Sequence, residues 1–208
     1  MQRVRSILAF LVGVLGVAWV VWGLSGAKRV QARSYSANVT VYFSPRGGAT
    51  AAVVDALNEA RKEVLVQAYS LTSKPIAKAL KGAHRRGVRV KLLLDKSNET
   101  QSSSAAGELC NAGIETRIDD RHAAAHNKVI IIDGEVVITG SFNFTQVAEQ
   151  SNAENLLVIR DSPELAKAFV ANFEAHYDHA RPYRRGPRWW PRWLPWPPWP
   201  SPRGKAPT

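Results

Sequence analysis

The order of apolar runs between Asn38 and His179 restricts this chain to an α/β fold. Val39 to Phe43 reads as a first strand, closed by Ser44-Pro45-Arg46-Gly47-Gly48. Thr50 to Lys62 carries Val53, Val54, Leu57 and Ala60 at helical spacing, and Glu63 to Tyr69 reads as a second strand. Ser73 and Pro75 open a helix that runs to Arg86, where Gly87 stops it. Val88 to Leu94 is a third strand ending at Asp95. A polar loop, Ser97 to Ser104, leads to a short helix and the strand Ile114 to Ile118. Val129 to Ile132, Val136 to Thr139 and Asn155 to Arg160 are further strands. Asp161-Ser162-Pro163-Glu164 opens a last helix to Tyr177 or His179, with Leu165, Ala168, Phe169 and Phe173 on one face. Successive strand–helix–strand units imply a sheet that begins largely parallel.

The two ends differ from this middle. The net charge is +11, but residues 1–36 hold five basic residues and residues 181–208 hold seven, with no acid in either. Removing these twelve leaves −1 for the part between. The net charge therefore does not by itself establish a cationic footprint over the whole domain, as expected of many nucleic-acid binders. Arg3 and Arg5 precede an uncharged run, Ile7 to Leu24, followed by Ser25-Gly26-Ala27. This order describes an export signal within 1–32, cleaved after Ala27 or Ala32, or else a retained membrane anchor. Either way the domain, 37–180, is expected outside the cytoplasmic membrane: periplasmic, secreted or anchored to the inner membrane. The tail 181–208 holds five of the seven Trp and nine of the twelve Pro. Prolines at this density predict neither helix nor strand. Trp with Arg suits a lipid headgroup layer through 188–200, stacking on nucleic acid, or a proline-rich partner ligand, the remaining reading being an idle tail. A lone Cys110 excludes an intrachain disulfide and reads as a small buried helix residue.

The chemistry concentrates in HNKVIIIDGEVVITGSFNFTQVAEQSNAE, residues 126–154. Alternation along an extended chain points His126 and Lys128 the same way and sets Asp133 apart, as a local support. A neutral imidazole is a nucleophile near neutral pH, and an ammonium offers charge to phosphate oxygens. Ser141 and Asn143 add a hydroxyl and an amide as further donors. Glu154 is placed to hold the other ring nitrogen of His126. No His, Cys or carboxylate falls at metal-ligand spacing beside these residues, so neither metal nor cofactor is expected in the reaction. The pattern points to metal-free phosphodiester cleavage. Taken singly, His-x-Lys is a common solvated strand edge, and Gly140-Ser141 is a common helix cap. The fixed offsets between these pieces argue for a site.

His126-x-Lys128-x4-Asp133 with Gly140-Ser141-x-Asn143 resembles the HKD motif of the phospholipase D superfamily, over roughly Asn38 to Tyr177. Gln67 to Ser73 is also similar to the small single-motif bacterial endonucleases of that family. The resemblance implies one domain with a mixed sheet flanked by helices on both faces. It implies that His126 attacks phosphorus to form a phosphohistidine, with Lys128 and Asn143 binding the phosphate. Ser141 is similar in position to a phosphate-site residue, Glu154 to the acid that orients the histidine, and Asp133 to a structural aspartate.

Cleavage also needs an acid for the leaving oxygen, and one imidazole cannot serve both sides of the phosphorus in one step. The chain has one His-x-Lys motif, so a symmetric homodimer with a shared site is expected, as the resemblance also implies. The expected substrate is DNA, with RNA or a membrane phospholipid as alternatives, and a non-catalytic membrane-binding protein as the remaining reading. Lys74, Lys78, Lys81, Arg85, Arg86, Arg89, Lys91 and Lys96 form either a solvated face or a polyanion-steering patch. His122 reads as a loop histidine, and His176 and His179 as structural or solvated residues favoured by a helix C-terminus.

Overall fold

The computed structural model describes residues 33–183; the expected export segment at 1–32 and the Trp-rich run 188–200 lie outside them. Eight strands form one mixed sheet: β1 Asn38–Ser44, β2 Glu63–Ala68, β3 Arg89–Asp95, β4 Glu115–Asp119, β5 Lys128–Ile132, β6 Val136–Gly140, β7 Glu154–Arg160 and β8 Arg181–Pro182. Their order is β1-β7-β6-β5-β2-β3-β4-β8. Strands β2, β3 and β4 are parallel neighbours, as expected of strand–helix–strand units. Strand β1 is not beside them; it pairs antiparallel with β7 at the far edge. Long-range register, invisible in local patterning, decides that position.

Six helices are described: α1 Ala49–Glu59, α2 Lys74–Arg85, α3 Ser97–Thr100, α4 Ala106–Asn111, α5 Gln146–Gln150 and α6 Pro163–His179. Strand parity divides the core. Val64, Val66, Leu92, Leu94, Ile130 and Ile138 pack against α1, α2 and α4, and Leu65, Leu93, Val129, Ile131 and Val137 pack against α6. Both faces are thus covered. Fully buried Leu57, Leu80, Leu92, Phe142 and Phe173 each contribute about 1.5–3 kcal/mol of apolar transfer.

Several boundaries differ from expectation, each for a tertiary reason. Helix α1 ends at Glu59, because the N–H groups of Arg61, Lys62 and Glu63 are drawn to the Asp133 carboxylate. It begins on the Glu149 carboxylate, which accepts from the N–H groups of Gly48 and Thr50. Part of the polar loop 97–104 is the helix α3, held by Asn98. That buried amide donates to the carbonyls of Tyr69 and Asp95 and accepts from Ser104. On α6 the buried residues are Ala166, Phe173 and Tyr177, while Ala168, expected inside, is exposed. Pro182 also departs from expectation. Residues 181–182 add a short edge strand to β4, and the Tyr183 N–H donates to the Thr116 carbonyl. A proline is tolerated there because an edge strand needs only some of its N–H groups.

Candidate active site

The site lies where β2 and β6 end and β5 and β7 begin. The Tyr69 N–H donates to the Asn127 carbonyl, extending the β2–β5 ladder by a step and fixing the chain just after His126. His126 is exposed and precedes β5, whereas Lys128 is buried as its first residue. Lys128 Nζ lies 2.9 Å from Nδ1 and 3.2 Å from Nε2 of His126, and it donates to the His126 carbonyl at 2.8 Å. Tyr69 completes the cluster. Its ring centre is 4.4 Å from that of His126 and 5.2 Å from Lys128 Nζ. An aromatic face beside both groups limits the water that reaches them and favours the cation.

Burial pushes the Lys128 ammonium below the usual lysine range, and the charge of Glu154 pulls it partly back. Glu154 itself accepts from Asn152 Nδ2 at 3.1 Å. Among the described residues it makes no hydrogen bond to His126, so the expected Glu154–imidazole contact is not formed within one chain. It starts β7, two strands from β5, and its charge acts on Lys128 instead.

The β6–β7 edge supplies the amide and the hydroxyl. Gly140, with φ 149°, lets β6 approach β7 so closely that an added Cβ would stand 2.3 Å from the Asn155 carbonyl oxygen. That carbonyl accepts from the N–H groups of Ser141 and Phe142, and the Asn155 N–H donates to Ser141 Oγ. The Ser141 proton remains available to a ligand. Phe142 and Phe144 are fully buried and pin the segment, leaving Asn143 between them. Oδ1 of Asn143 is buried without a hydrogen-bond partner among the described residues. An amide oriented either way leaves one polar atom for a ligand.

Asp133 sits at the other end of β5. With Gly134 it forms the β5–β6 turn, both residues at positive φ, and its carboxylate receives the N–H groups of Arg61, Lys62 and Glu63, where the chain enters β2. It is remote from His126 and has no place in the reacting cluster.

The basic residues of 74–96 prove heterogeneous. Lys81 pairs with Glu108, Arg89 with Glu63 and Lys91 with Glu174, and Arg86 caps carbonyls of Leu57 and Ala60. Lys74 and Lys78 are exposed on α2 and take part in no ion pair among the described residues. The N–H groups of Thr72 and Ser73, just before α2, donate to the Phe144 carbonyl, so this helix begins next to Asn143. His122, His176 and His179 are neither isolated nor simply solvated. They meet around Asp119, a constellation not recognised from sequence because its halves are more than fifty residues apart. The repeated spacing in Asp119-x-x-His122 and His176-x-x-His179 was its only local sign.

An imidazole against a buried ammonium, with a waiting amide at a strand end, defines a phosphodiester-cleaving class of site. Residues 53–177 match the family described as "Cardiolipin synthase, PLD-like domain", and the chain belongs to this phospholipase D-like family. It is 47% identical over 135 residues to a "Phospholipase D" of Rickettsia bellii, covering 65% of this chain and 67% of that protein. It is 36% identical over 123 residues to the "Mitochondrial cardiolipin hydrolase" of Xenopus laevis, covering 59% of this chain and 58% of that one. The solved structure of Nuc from Salmonella typhimurium, described as a phospholipase D family member, aligns with a TM-score of 0.68 at 39% identity. That match covers 72% of this chain and all of the other. The protein is accordingly a phosphodiesterase of the phospholipase D family, and the mixed sheet with two helical layers is that family's fold.

Proposed function

We propose that this protein is a metal-independent endonuclease that cleaves DNA with little sequence preference and acts outside the cytoplasmic membrane. The observation that carries the choice of substrate is the position of Lys74 and Lys78. These cations, in no ion pair among the described residues, lead away from the site along α2, which suits an extended polyanion better than a single headgroup. His126 attacks phosphorus, forming an N–P bond as the P–O bond to the leaving group breaks. Lys128, Asn143 and Ser141 hold the non-bridging oxygens. The leaving oxygen takes a proton from His126 of a second copy, which then removes a proton from water. That water attacks phosphorus, the P–N bond breaks, and the free imidazole returns.

The second copy is a two-fold related partner, and the face we assign to it lies on β1. Val39, Val41 and Phe43 are exposed there, and β1 ends at Ser44, the register partner of Glu154. A copy seated on this apolar face adjoins the site that requires it. A second reading, hydrolysis or transfer of a phosphatidyl group, is favoured by the Rickettsia phospholipase D and the Xenopus cardiolipin hydrolase among its relatives. Residues 7–24 and 188–200 would then hold the enzyme at its substrate.

The deciding assay offers the full chain plasmid DNA, RNA and phospholipid vesicles, with EDTA added just before substrate. Plasmid degradation that vanishes in His126→Ala is expected, together with an acid-trapped phosphohistidine in the active chain. Release of phosphatidic acid alone would establish the lipid reading, and loss of all turnover in EDTA from a chain still folded would overturn the metal-free mechanism.

A further inference from the structure

Three imidazoles converge on one carboxylate at the end of β4. Strands β2 and β3 lie between it and β5, so about 14 Å separates it laterally from the His126 strand. Asp119 is fully buried. Its Oδ2 lies 2.9 Å from Nδ1 of His122 and 3.3 Å from Nδ1 of His176, and its Oδ1 lies 3.5 Å from Nε2 of His179. The three ring centres stand 4.8, 5.4 and 5.5 Å apart. Among the described residues no lysine or arginine pairs with Asp119, and Nε2 of His179 is buried without a hydrogen-bond partner.

Hydrogen bonding alone serves this arrangement poorly. The buried carboxylate needs a positive partner and the buried Nε2 of His179 needs a partner of its own; one protonated ring, with the Arg121 N–H that donates to Asp119 Oδ1, answers only the first. A divalent cation meets both needs, taking a lone pair from each ring and one carboxylate oxygen. The distances agree. A tetrahedron with bonds of about 2.1 Å has edges of about 3.4 Å, close to the 2.9 and 3.3 Å from Asp119 Oδ2 to His122 and His176, while His179 approaches the carboxylate's other oxygen. One ligand atom from each residue lies within 4.8 Å of all the others, so closure requires ring movements of about an ångström.

We propose that Asp119, His122, His176 and His179 form a tetrahedral site for a zinc-like divalent ion, separate from the catalytic centre. His176 and His179 present one face of the last turn of α6, and Asp119 and His122 flank the exit from β4. The site therefore ties the helix to the start of the loop that ends in His126. Four protein ligands leave no position for substrate, which makes the ion structural. The same loop is held further along, where the Ala125 N–H donates to Asp95 and Lys96 Nζ donates to the His122 carbonyl.

The test uses the untagged full chain, loaded with zinc or cobalt and dialysed. One zinc per chain, the visible absorption of tetrahedral cobalt, and a melting temperature raised by at least ~5 °C are expected. His122→Ala is the first variant, because that ring is substantially exposed and its loss leaves the core filled. His176→Ala is the second, and far-ultraviolet circular dichroism checks the fold of both. Each should lose the bound metal, while His126→Ala should keep it. Zinc well below one per chain, an octahedral cobalt spectrum, or metal unchanged in both variants would overturn the site. Metal lost only in His126→Ala would place it at the catalytic centre instead, against the proposal. Because the readout is metal content, the result is independent of the substrate the enzyme proves to use.

Discussion

The ammonium of Lys128 lies 2.9 Å from Nδ1 of His126, and among the described residues the carboxylate acting on it is that of Glu154. Burial disfavours the charged lysine, and Glu154 opposes that. Replacing Glu154 with Gln removes the opposition, so the lysine pKa falls further. The alkaline limb of kcat/KM should then move to lower pH, with the acid limb left in place. A pH–rate profile checks this; an unmoved alkaline limb would mean that Lys128 does not set it. Lys128→Met should cost about 10²–10³-fold in kcat through loss of charge stabilisation, and His126→Ala at least about 10⁴-fold.

Asp133 makes a prediction about stability and acid. Burial raises its carboxyl, but the N–H groups of Glu63, Lys62 and Arg61 outweigh burial and hold it below the usual value. A carboxyl depressed by folding contributes stability that is fully present above its unfolded pKa and lost as pH falls through the folded one. Asp133→Asn should therefore lower stability by about 1–3 kcal/mol near neutral pH. The gap from the parent should close below the ordinary carboxylate range. Denaturant melts at several pH values measure it, and a constant gap down to acid would contradict the assignment.

The sequence carried the strand and helix order, the His126–Lys128 pairing and the separation of Asp133, because each follows from local alternation or turn chemistry. Its failures share a physical cause. The place of β1 beside β7, the stop of α1 at Asp133 and the Asp119 cluster all depend on groups dozens of residues apart. Ala168 was misplaced because α6 turns Ala166, Phe173 and Tyr177 to the sheet, a rotation that its mixed pattern leaves open. Glu154 was read as a partner of His126 from motif order alone, whereas the sheet sets it nearer in effect to Lys128.

Gly140 should be the least replaceable glycine at the site. Its φ is one that other residues rarely adopt, and a methyl group there would collide with the Asn155 backbone. Gly140→Ala must shift β6 from β7, breaking the hydrogen bonds from Ser141 and Phe142 to the Asn155 carbonyl. A stability loss of roughly 1–3 kcal/mol is expected. Because Asn143 follows in the same segment, kcat should fall by more than the folded fraction does. Thermal melts and initial rates on the same preparation separate the two, and a loss of stability with unchanged kcat would remove Asn143 from the chemistry.

Phe43 tests the assembly. It is 65% exposed at the end of β1, in line with Val39 and Val41, while Tyr42 on the other face packs on the core. Phe43→Glu therefore leaves the fold intact but places a charge where the second copy is proposed to sit, at a cost of several kcal/mol to association. Sedimentation should show the parent as a dimer and the variant as a monomer at micromolar concentration. Activity should fall with dimer content and return as the variant is concentrated, since one chain lacks the second imidazole. Mixing inactive His126→Ala with parent chains supplies the complementary measurement: each mixed dimer has one attacking histidine and no proton donor, so activity should follow the square of the parent fraction. A linear dependence would show that a single chain completes the reaction, and the shared site would have to be abandoned.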